Sequence, residues 1–231
     1  MFSHYIVITV HGDDFSSLSG GFCVAWGKYQ YYKFKRFRIT MGLKIGPSDV
    51  LSNNFDLWIV SHGGVASNAL CDYLEERGIK TRPENYGLIC HKSHPGTSVD
   101  IPILVVYGDY EKSIRSMDRR GFLSANATKM RFGMNLPEIK LERLIHNYPA
   151  DPLGIKFFLD SFTYAKNENL DNIQFLEYPY RKKTLDGVLR DLELNVDVSS
   201  FNLRERKKKW LPISSHVEKI IDIYRNYEFQ K

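Results

Sequence analysis

Short continuous apolar runs alternate with amphipathic segments along the chain from Phe55 onward. Each run is short enough for a buried strand and too short for a comfortable buried helix. The runs therefore predict four strands, at residues 57–60, 86–90, 101–107 and 173–178. Because strands that alternate with helical segments are typical of βα units, we predict an α/β fold with a central, mainly parallel sheet flanked by helices.

The predicted helices between and after these runs carry an apolar face at helical spacing. Their apolar positions are Leu70, Tyr73 and Leu74 before Gly78, then Ile114 and Met117 before Gly121, and then Leu185, Val188, Leu189 and Leu192. Asp151 followed by Pro152 predicts an N-cap with proline at the first helical position. Ser214 predicts the cap of a last helix, whose apolar face is Val217, Ile220, Ile221 and Tyr224.

The first 50 residues carry no clean helical period, and we predict them as an N-terminal extension to a single domain formed by residues 51–231. Within the extension, residues 29–39 interleave aromatic and basic side chains, as an exposed strand or hairpin does. Met41 could begin a complete domain, in which case the preceding stretch has no packed structure of its own.

The segment after the first predicted strand has the composition of an anion-binding turn. It reads Ser61-His62-Gly63-Gly64-Val65-Ala66-Ser67-Asn68, and a predicted helix follows at once. Unpaired amides at a helix N-terminus attract anions, glycine lets the backbone approach a phosphate, and serine and asparagine add donors. The alternative is a βα turn that uses glycine only for its backbone freedom.

Two well-known phosphate-binding patterns are missing from this turn. The nucleotide-triphosphatase pattern GxxxxGK, followed by serine or threonine, does not occur in the chain. The dinucleotide pattern GxGxxG is absent from the turn as well, which weakens a Rossmann oxidoreductase.

Three separated segments together resemble the sulfotransferase family, whose members share a three-layer, P-loop NTPase-like fold and transfer a sulfonyl group from 3′-phosphoadenosine-5′-phosphosulfate (PAPS). The first is the turn above, which is similar to the family's loop for the 5′-phosphosulfate. The second, residues 91–95, resembles the family's Lys-Thr-His stretch. The third, residues 103–117, is similar to the strand-turn-helix that binds the 3′-phosphate. The likeness extends over about residues 55–212.

The resemblance implies that PAPS is the co-substrate and that residues 63–68 bind its phosphosulfate. Ser67 and Asn68 stand where the family has two threonines, and Ser116 matches the family's 3′-phosphate serine. Gly64 stands where the family has lysine or arginine, and Gly108 stands where it has arginine. The cofactor-binding residues implied are Gly63, Gly64, Val65, Ala66, Ser67, Asn68, Arg115, Ser116, Arg204, Arg206 and Lys207.

The resemblance also implies an in-line transfer to a hydroxyl or amine of a small-molecule or glycan acceptor, with no metal. His94 is the first candidate for the base and His62 the second, because histidine can deprotonate a hydroxyl near neutral pH. Lys92 would stabilise the leaving phosphate in place of the missing loop cation. As alternatives, His94 satisfies a loop carbonyl, or it joins Cys90 and His91 in a zinc site, for which no second ligand pair is present.

Two rival functions arise from the same residues. Because Gly64 and Gly108 remove two cations, the chain could be a non-catalytic nucleotide- or anion-binding module on the same fold. The formal net charge of +5 is concentrated in residues 28–38 and 204–209, and the first of these interleaves aromatic residues, as single-stranded nucleic-acid sites do. An amphipathic edge strand explains those residues with less assumption, so we expect no nucleic-acid partner.

The cysteine count and the lengths of the apolar runs suggest a compartment. Cys23, Cys71 and Cys90 are odd in number and form no CxxC pair, which favours a reducing environment. The apolar run at residues 5–10 is far shorter than a signal-peptide core or a membrane span. The sequence therefore predicts a cytoplasmic protein without a membrane span, and it leaves the oligomeric state open.

Overall fold

Three parallel strands form the sheet in a computed structural model that describes residues 55–83, 86–132, 139–202 and 212–225. The strands are β1 (Trp58–Ser61), β2 (Ile103–Gly108) and β3 (Ile173–Tyr178). The helices are α1 (Ser67–Glu75), α2 (Tyr86–Ile89), α3 (Tyr110–Arg119), α4 (Leu123–Phe132), α5 (Leu141–Asn147), α6 (Ile155–Asn167), α7 (Lys182–Asp191) and α8 (Ser215–Arg225). The predicted extension, residues 1–50, lies outside the described residues.

The strand order is β1-β2-β3, and the register aligns the first residues of the three strands with one another. Trp58 pairs with Ile103, and Ile103 pairs with Ile173, so the first residues of the strands lie at one edge of the sheet. We call this the amino edge, and we call the opposite edge, where the strands end, the carboxyl edge. Every residue of β1 and β2 is buried, because helices cover both faces of the sheet.

Different hydrophobic side chains pack on the two faces of the sheet. On one face, β1 and the residue before it pack with α1 and α7, in a cluster that includes Leu57, Ile59, Leu70, Leu74, Leu185 and Leu189. On the other face, the indole of Trp58 meets the ring of Phe162 on α6 at 5.8 Å between centroids. The predicted α/β class with a parallel sheet is therefore confirmed, with three strands in the described part of the chain.

The predicted strand at residues 86–90 is wrong, because this run forms the single-turn helix α2. A turn in which Tyr86 N–H donates to the Pro83 carbonyl begins the helix, and Cys90 N–H donates to the Tyr86 carbonyl at 2.9 Å. Gly87 is exposed, so the run is not buried on all sides as a central strand would be. A short apolar run does not distinguish a strand from a buried helical turn by periodicity.

The predicted helix starts have mixed outcomes. Ser214 is confirmed as a cap, since its Oγ accepts from Val217 N–H at 3.3 Å. The start at Asp151 is wrong by several residues, because α6 begins at Ile155 after Gly154 in a left-handed conformation. The Asp151 carboxylate nevertheless accepts from the N–H groups of Lys156 and Phe157, so it still caps this helix from a distance.

No helix in the described ranges combines the length and the apolar character that are needed to cross a membrane.

Candidate functional site

The turn between β1 and α1, residues 62–66, has an unusual backbone. Gly63, Gly64 and Ala66 have φ angles of 96°, 79° and 58°, all in the left-handed region. Glycine enters this region freely, whereas for alanine it costs about 1 kcal/mol or more. Backbone strain of this kind is concentrated at ligand-binding sites.

Close packing against α3 and α4 explains the two glycines. A Cβ at Gly64 would lie 2.8 Å from the Cα and carbonyl oxygen of Ser113, and a Cβ at Gly63 would lie 2.5 Å from Nδ2 of Asn126. Backbone atoms of a helix cannot move aside as the end of a flexible side chain can. The lysine or arginine that the sulfotransferase pattern has at position 64 therefore does not fit this conformation.

The backbone N–H groups at the start of α1 lack partners within the part of the chain that the structure describes. The first helical hydrogen bond of α1 runs from Leu70 N–H to the Ala66 carbonyl. Among the described residues, none accepts a hydrogen bond from the N–H groups of residues 63–68, and no side chain caps α1. Gly64, Ala66 and Ser67 are half-buried and Asn68 is exposed, so solvent reaches this segment. The arrangement can accept an oxyanion at the positive end of the helix dipole.

His62, the first residue of the turn, anchors the turn to β2. Its Nε2 accepts a hydrogen bond from Gly108 N–H at 3.2 Å, so the neutral ring carries its proton on Nδ1. Burial, reinforced by the nearby His91, lowers the pKa of His62 to about 4. Nδ1 is buried and has no partner among the described residues. The imidazole is fully buried and neutral, which favours an anchoring role over that of a base for a solvent-side acceptor.

The segment after α2 lies beside the start of the turn. Ser61 N–H donates to the Cys90 carbonyl at 3.1 Å, and His91 Nδ1 donates to the Ser61 carbonyl at 2.5 Å. Lys92 follows directly and is half-buried, with no hydrogen-bond or ion-pair partner for its Nζ within the described residues. Burial lowers the pKa of Lys92. Lys92 therefore follows a residue that bonds to the strand end before the turn, and it comes after a helix, not after the predicted strand; its role at the turn stays a prediction.

The second predicted phosphate site, on β2 and α3, is brought close to the turn. Ser116 is buried on α3, one helical turn after Ser113, whose backbone meets Gly64. Gly108 has no room for a side chain, because a Cβ there would lie 2.8 Å from the carbonyl oxygen of Tyr178. Arg115 forms an ion pair with Glu111, in which Nε and Oε1 are 2.9 Å apart.

His94 lies at the amino edge of the sheet, away from the turn. Its Nε2 donates to Asp171 Oδ2 at 2.8 Å, and its Nδ1 accepts from Gly96 N–H at 3.1 Å. Asp171 comes two residues before β3, whereas the turn follows the other end of β1. The four residues of β1 separate the two places by roughly 10 Å. The two candidate bases are thus at opposite edges, and both ring nitrogens of His94 are engaged.

The remaining predicted site residues have simpler outcomes. Arg204, Arg206 and Lys207 lie outside the described residues, so their role stays a prediction. Val65 is fully buried in the core cluster that contains α1, which fixes the turn to the sheet. Within the described ranges, no three His, Cys, Asp or Glu side chains come together as metal ligands would.

Sequence reasoning missed the contribution of α4, to which it assigned no site residue. Asn126 on this helix is buried, lies against Gly63, and donates to the thioether of Met117 at 3.3 Å. Asn126 and Thr128 are buried polar residues within one helix, so the helix lacks the apolar stripe by which sequence patterns reveal a packed face. A contact across more than sixty residues carries no local signal.

Comparison of the chain with protein-family models, with curated proteins and with solved structures finds no match in any of the three.

Proposed function

We propose that the protein is a sulfotransferase that moves a sulfonyl group from PAPS to a hydroxyl or amine of a small-molecule or glycan acceptor. The observation that carries the proposal is the turn at residues 62–66, at the head of α1, where the N–H groups of residues 63–68 have no acceptor among the described residues. Such a segment suits the 5′-phosphosulfate of the donor. A P-loop NTPase-like fold and a cytoplasmic location belong to the same proposal.

The neighbouring strand supports this proposal because β1 and β2 are adjacent and parallel, and each runs into a turn and a helix. Ser113 of α3 contacts the turn at Gly64, and Ser116 follows one helical turn later. A donor with two phosphate groups can therefore use both strand ends. In this proposal the turn binds the phosphosulfate and Ser116 binds the 3′-phosphate.

The chemistry is an in-line displacement at sulfur. The acceptor oxygen or nitrogen forms a bond to sulfur, the bond from sulfur to the bridging phosphate oxygen breaks, and the acceptor releases one proton. The products are the sulfated acceptor and adenosine 3′,5′-bisphosphate. Lys92 is the candidate for neutralising the leaving phosphate, because it is half-buried, has no ion-pair partner among the described residues, and follows His91, whose ring bonds to the Ser61 carbonyl just before the turn. The geometry favours neither His62 nor His94 as the base.

A non-catalytic anion-binding module is the second candidate, and one observation favours it. Gly64 and Gly108 are the positions at which the family has its loop and 3′-phosphate cations, and close backbone contacts exclude side chains at both. A module of this kind would bind the donor nucleotide or a related anion without transferring the sulfonyl group.

A thermal-shift series on the full chain tests both candidates. We expect adenosine 3′,5′-bisphosphate and PAPS to raise the melting temperature more than ATP at equal concentration, because a selective ligand stabilises the native state. A bisphosphate shift no larger than that of ATP would contradict the sulfotransferase proposal. Transfer from labelled PAPS to an acceptor panel, lost in Lys92→Ala, separates the enzyme from the binding module.

A further inference from the structure

Helix α4, which is distant from the turn in sequence, packs against the turn in the fold. On α4, Asn126 lies against Gly63, and the carbonyl of Met130 accepts a hydrogen bond from Ser93 Oγ at 2.8 Å. Lys129 is three residues after Asn126 and adjacent to Met130, and residues three apart share one side of a helix. Lys129 is therefore on the part of α4 that faces the turn and the segment after α2.

The charge of Lys129 is uncompensated within the described residues. Lys129 is half-buried and forms no ion pair with a described acidic side chain, whereas Lys112 and Lys156 pair with Asp109 and Asp160. Burial is the main reason why the pKa of His91 falls to about 4, and the positive charges of Lys129 and of Arg120 lower it further.

The position of His91 ties that charge to the turn. The ring of His91 bonds to the Ser61 carbonyl at the end of β1, immediately before the turn. Lys129 thus interacts with the residue whose ring bonds to the strand end that leads into the turn. Lys92, the residue after His91, is a second unpaired cation of the described residues in this region.

We propose that Lys129 supplies the positive charge that the turn lacks, and that the anionic group held by residues 63–68 lies between Lys129 and Lys92. This inference rests on the proposed function and names the residues that bind the sulfate or phosphate group. Gly64 leaves no space for a cation within the turn, so a cation from the neighbouring helix takes that part. Lysine binds such groups as a point charge, and its hydrogen bond to an oxyanion is stronger than a neutral one.

Equilibrium titration of the full chain with two probes, inorganic sulfate and adenosine 3′,5′-bisphosphate, tests this inference. We expect Lys129→Gln to weaken the binding of both probes by about tenfold or more, the range of one hydrogen bond to a charged group. Lys129→Arg, which keeps the charge, restores most of the affinity. Lys80→Gln is the matched control, because Lys80 is exposed and its backbone lies at the amino edge, where it bonds to Asp56. Circular dichroism checks that each variant is folded.

The outcomes separate this inference from the proposed function. Wild-type affinity in Lys129→Gln, or an equal loss in Lys80→Gln, overturns the role of Lys129 and leaves the sulfotransferase proposal standing. Sulfate binding that depends on Lys129, without any preference for the bisphosphate, supports the role of Lys129 and overturns PAPS as the donor. A wild-type chain that binds neither probe overturns both.

Discussion

The amino and carboxyl edges of the sheet differ in how far their polar groups are hydrogen-bonded within the described residues. At the amino edge, Asp171 accepts hydrogen bonds from His94 Nε2, Ser98 Oγ and Val99 N–H at 2.8 to 2.9 Å. At the carboxyl edge, the N–H groups of residues 63–68 and the buried Nδ1 of His62 have no partner among the described residues.

This difference separates a structural histidine from a histidine at a binding site. Buried polar groups in folded proteins are nearly always hydrogen-bonded, because an unpaired buried group costs free energy. The amino edge follows that rule and needs no ligand. At the carboxyl edge, the buried Nδ1 of His62 departs from that rule within the described residues, and the half-buried and exposed N–H groups beside it are open to an oxyanion.

The largest predicted effect comes from removing the carboxylate that accepts the hydrogen bonds at the amino edge. The Asp171 side chain is 2% exposed, so Asp171→Ala leaves the buried Nε2–H of His94 and the half-buried N–H of Val99 without an acceptor, and it removes one bond of the exposed Ser98 hydroxyl. We expect it to lower the free energy of unfolding by about 3 kcal/mol, measured by urea denaturation. Sulfate affinity should stay unchanged, because the carboxyl edge is intact. Asp186→Ala, which removes an exposed pair with Arg190, is the control and should cost well under 1 kcal/mol.

A destabilisation by Asp171→Ala no greater than that of Asp186→Ala would contradict the buried network. A loss of sulfate binding in the folded Asp171→Ala protein would contradict the separation of the two edges.

The second prediction concerns pH and the carboxyl edge. The pKa of His62 is about 4 in the folded chain, against 6.5 as its ordinary value. Because the folded pKa is the lower one, the neutral ring stabilises the fold fully above pH 6.5, and this contribution is lost as the pH falls toward 4. The contribution of His62 to the free energy of unfolding should fall by about 1.4 kcal/mol per pH unit below 6.5.

Urea denaturation between pH 7 and pH 5 measures this dependence in the wild type and in His62→Gln. The variant should show a shallower loss of stability toward acid, because the glutamine does not titrate. Parallel pH curves for the two proteins would show that His62 is not buried in its neutral form.

The smallest predicted effect concerns the strained backbone of the turn. Ala66 has a left-handed φ of 58°, so Ala66→Gly should raise the free energy of unfolding by up to about 1 kcal/mol. Ala69 lies in the first turn of α1, and Ala69→Gly should lower it by about 1 kcal/mol. Thermal and urea denaturation of the two variants would show these opposite signs. Destabilisation by both would contradict the left-handed conformation of Ala66.

The sequence predicts the parts of this fold that depend on local patterns. Three of the four predicted strands are present: β1 and β2 are buried apolar runs, and β3 buries Ile173 and Leu176. The run at residues 86–90 has the same composition and forms a helix, since its partners decide its conformation and periodicity does not. The turn at residues 62–66 was also predictable, because its glycines and the following helix are adjacent in the chain.

The assignment of individual site residues depends on contacts that no local pattern contains. His94 and His62 look alike in sequence, and only the fold shows that Asp171 and Gly96 engage the ring of His94. Asn126 contacts the turn from a helix about sixty residues away. Gly64 reads as the loss of a cation, whereas the backbone of Ser113 shows that a side chain has no room there.

Proton–nitrogen correlation NMR of the full chain during titration with inorganic sulfate tests the oxyanion site most directly. The account predicts that the amide signals of residues 63–68 shift together and saturate with one affinity, whereas those of Gly96 and Val99 at the amino edge stay in place. Unchanged signals from residues 63–68, or equal shifts at both edges, would contradict the claim that these N–H groups form an anion-binding site.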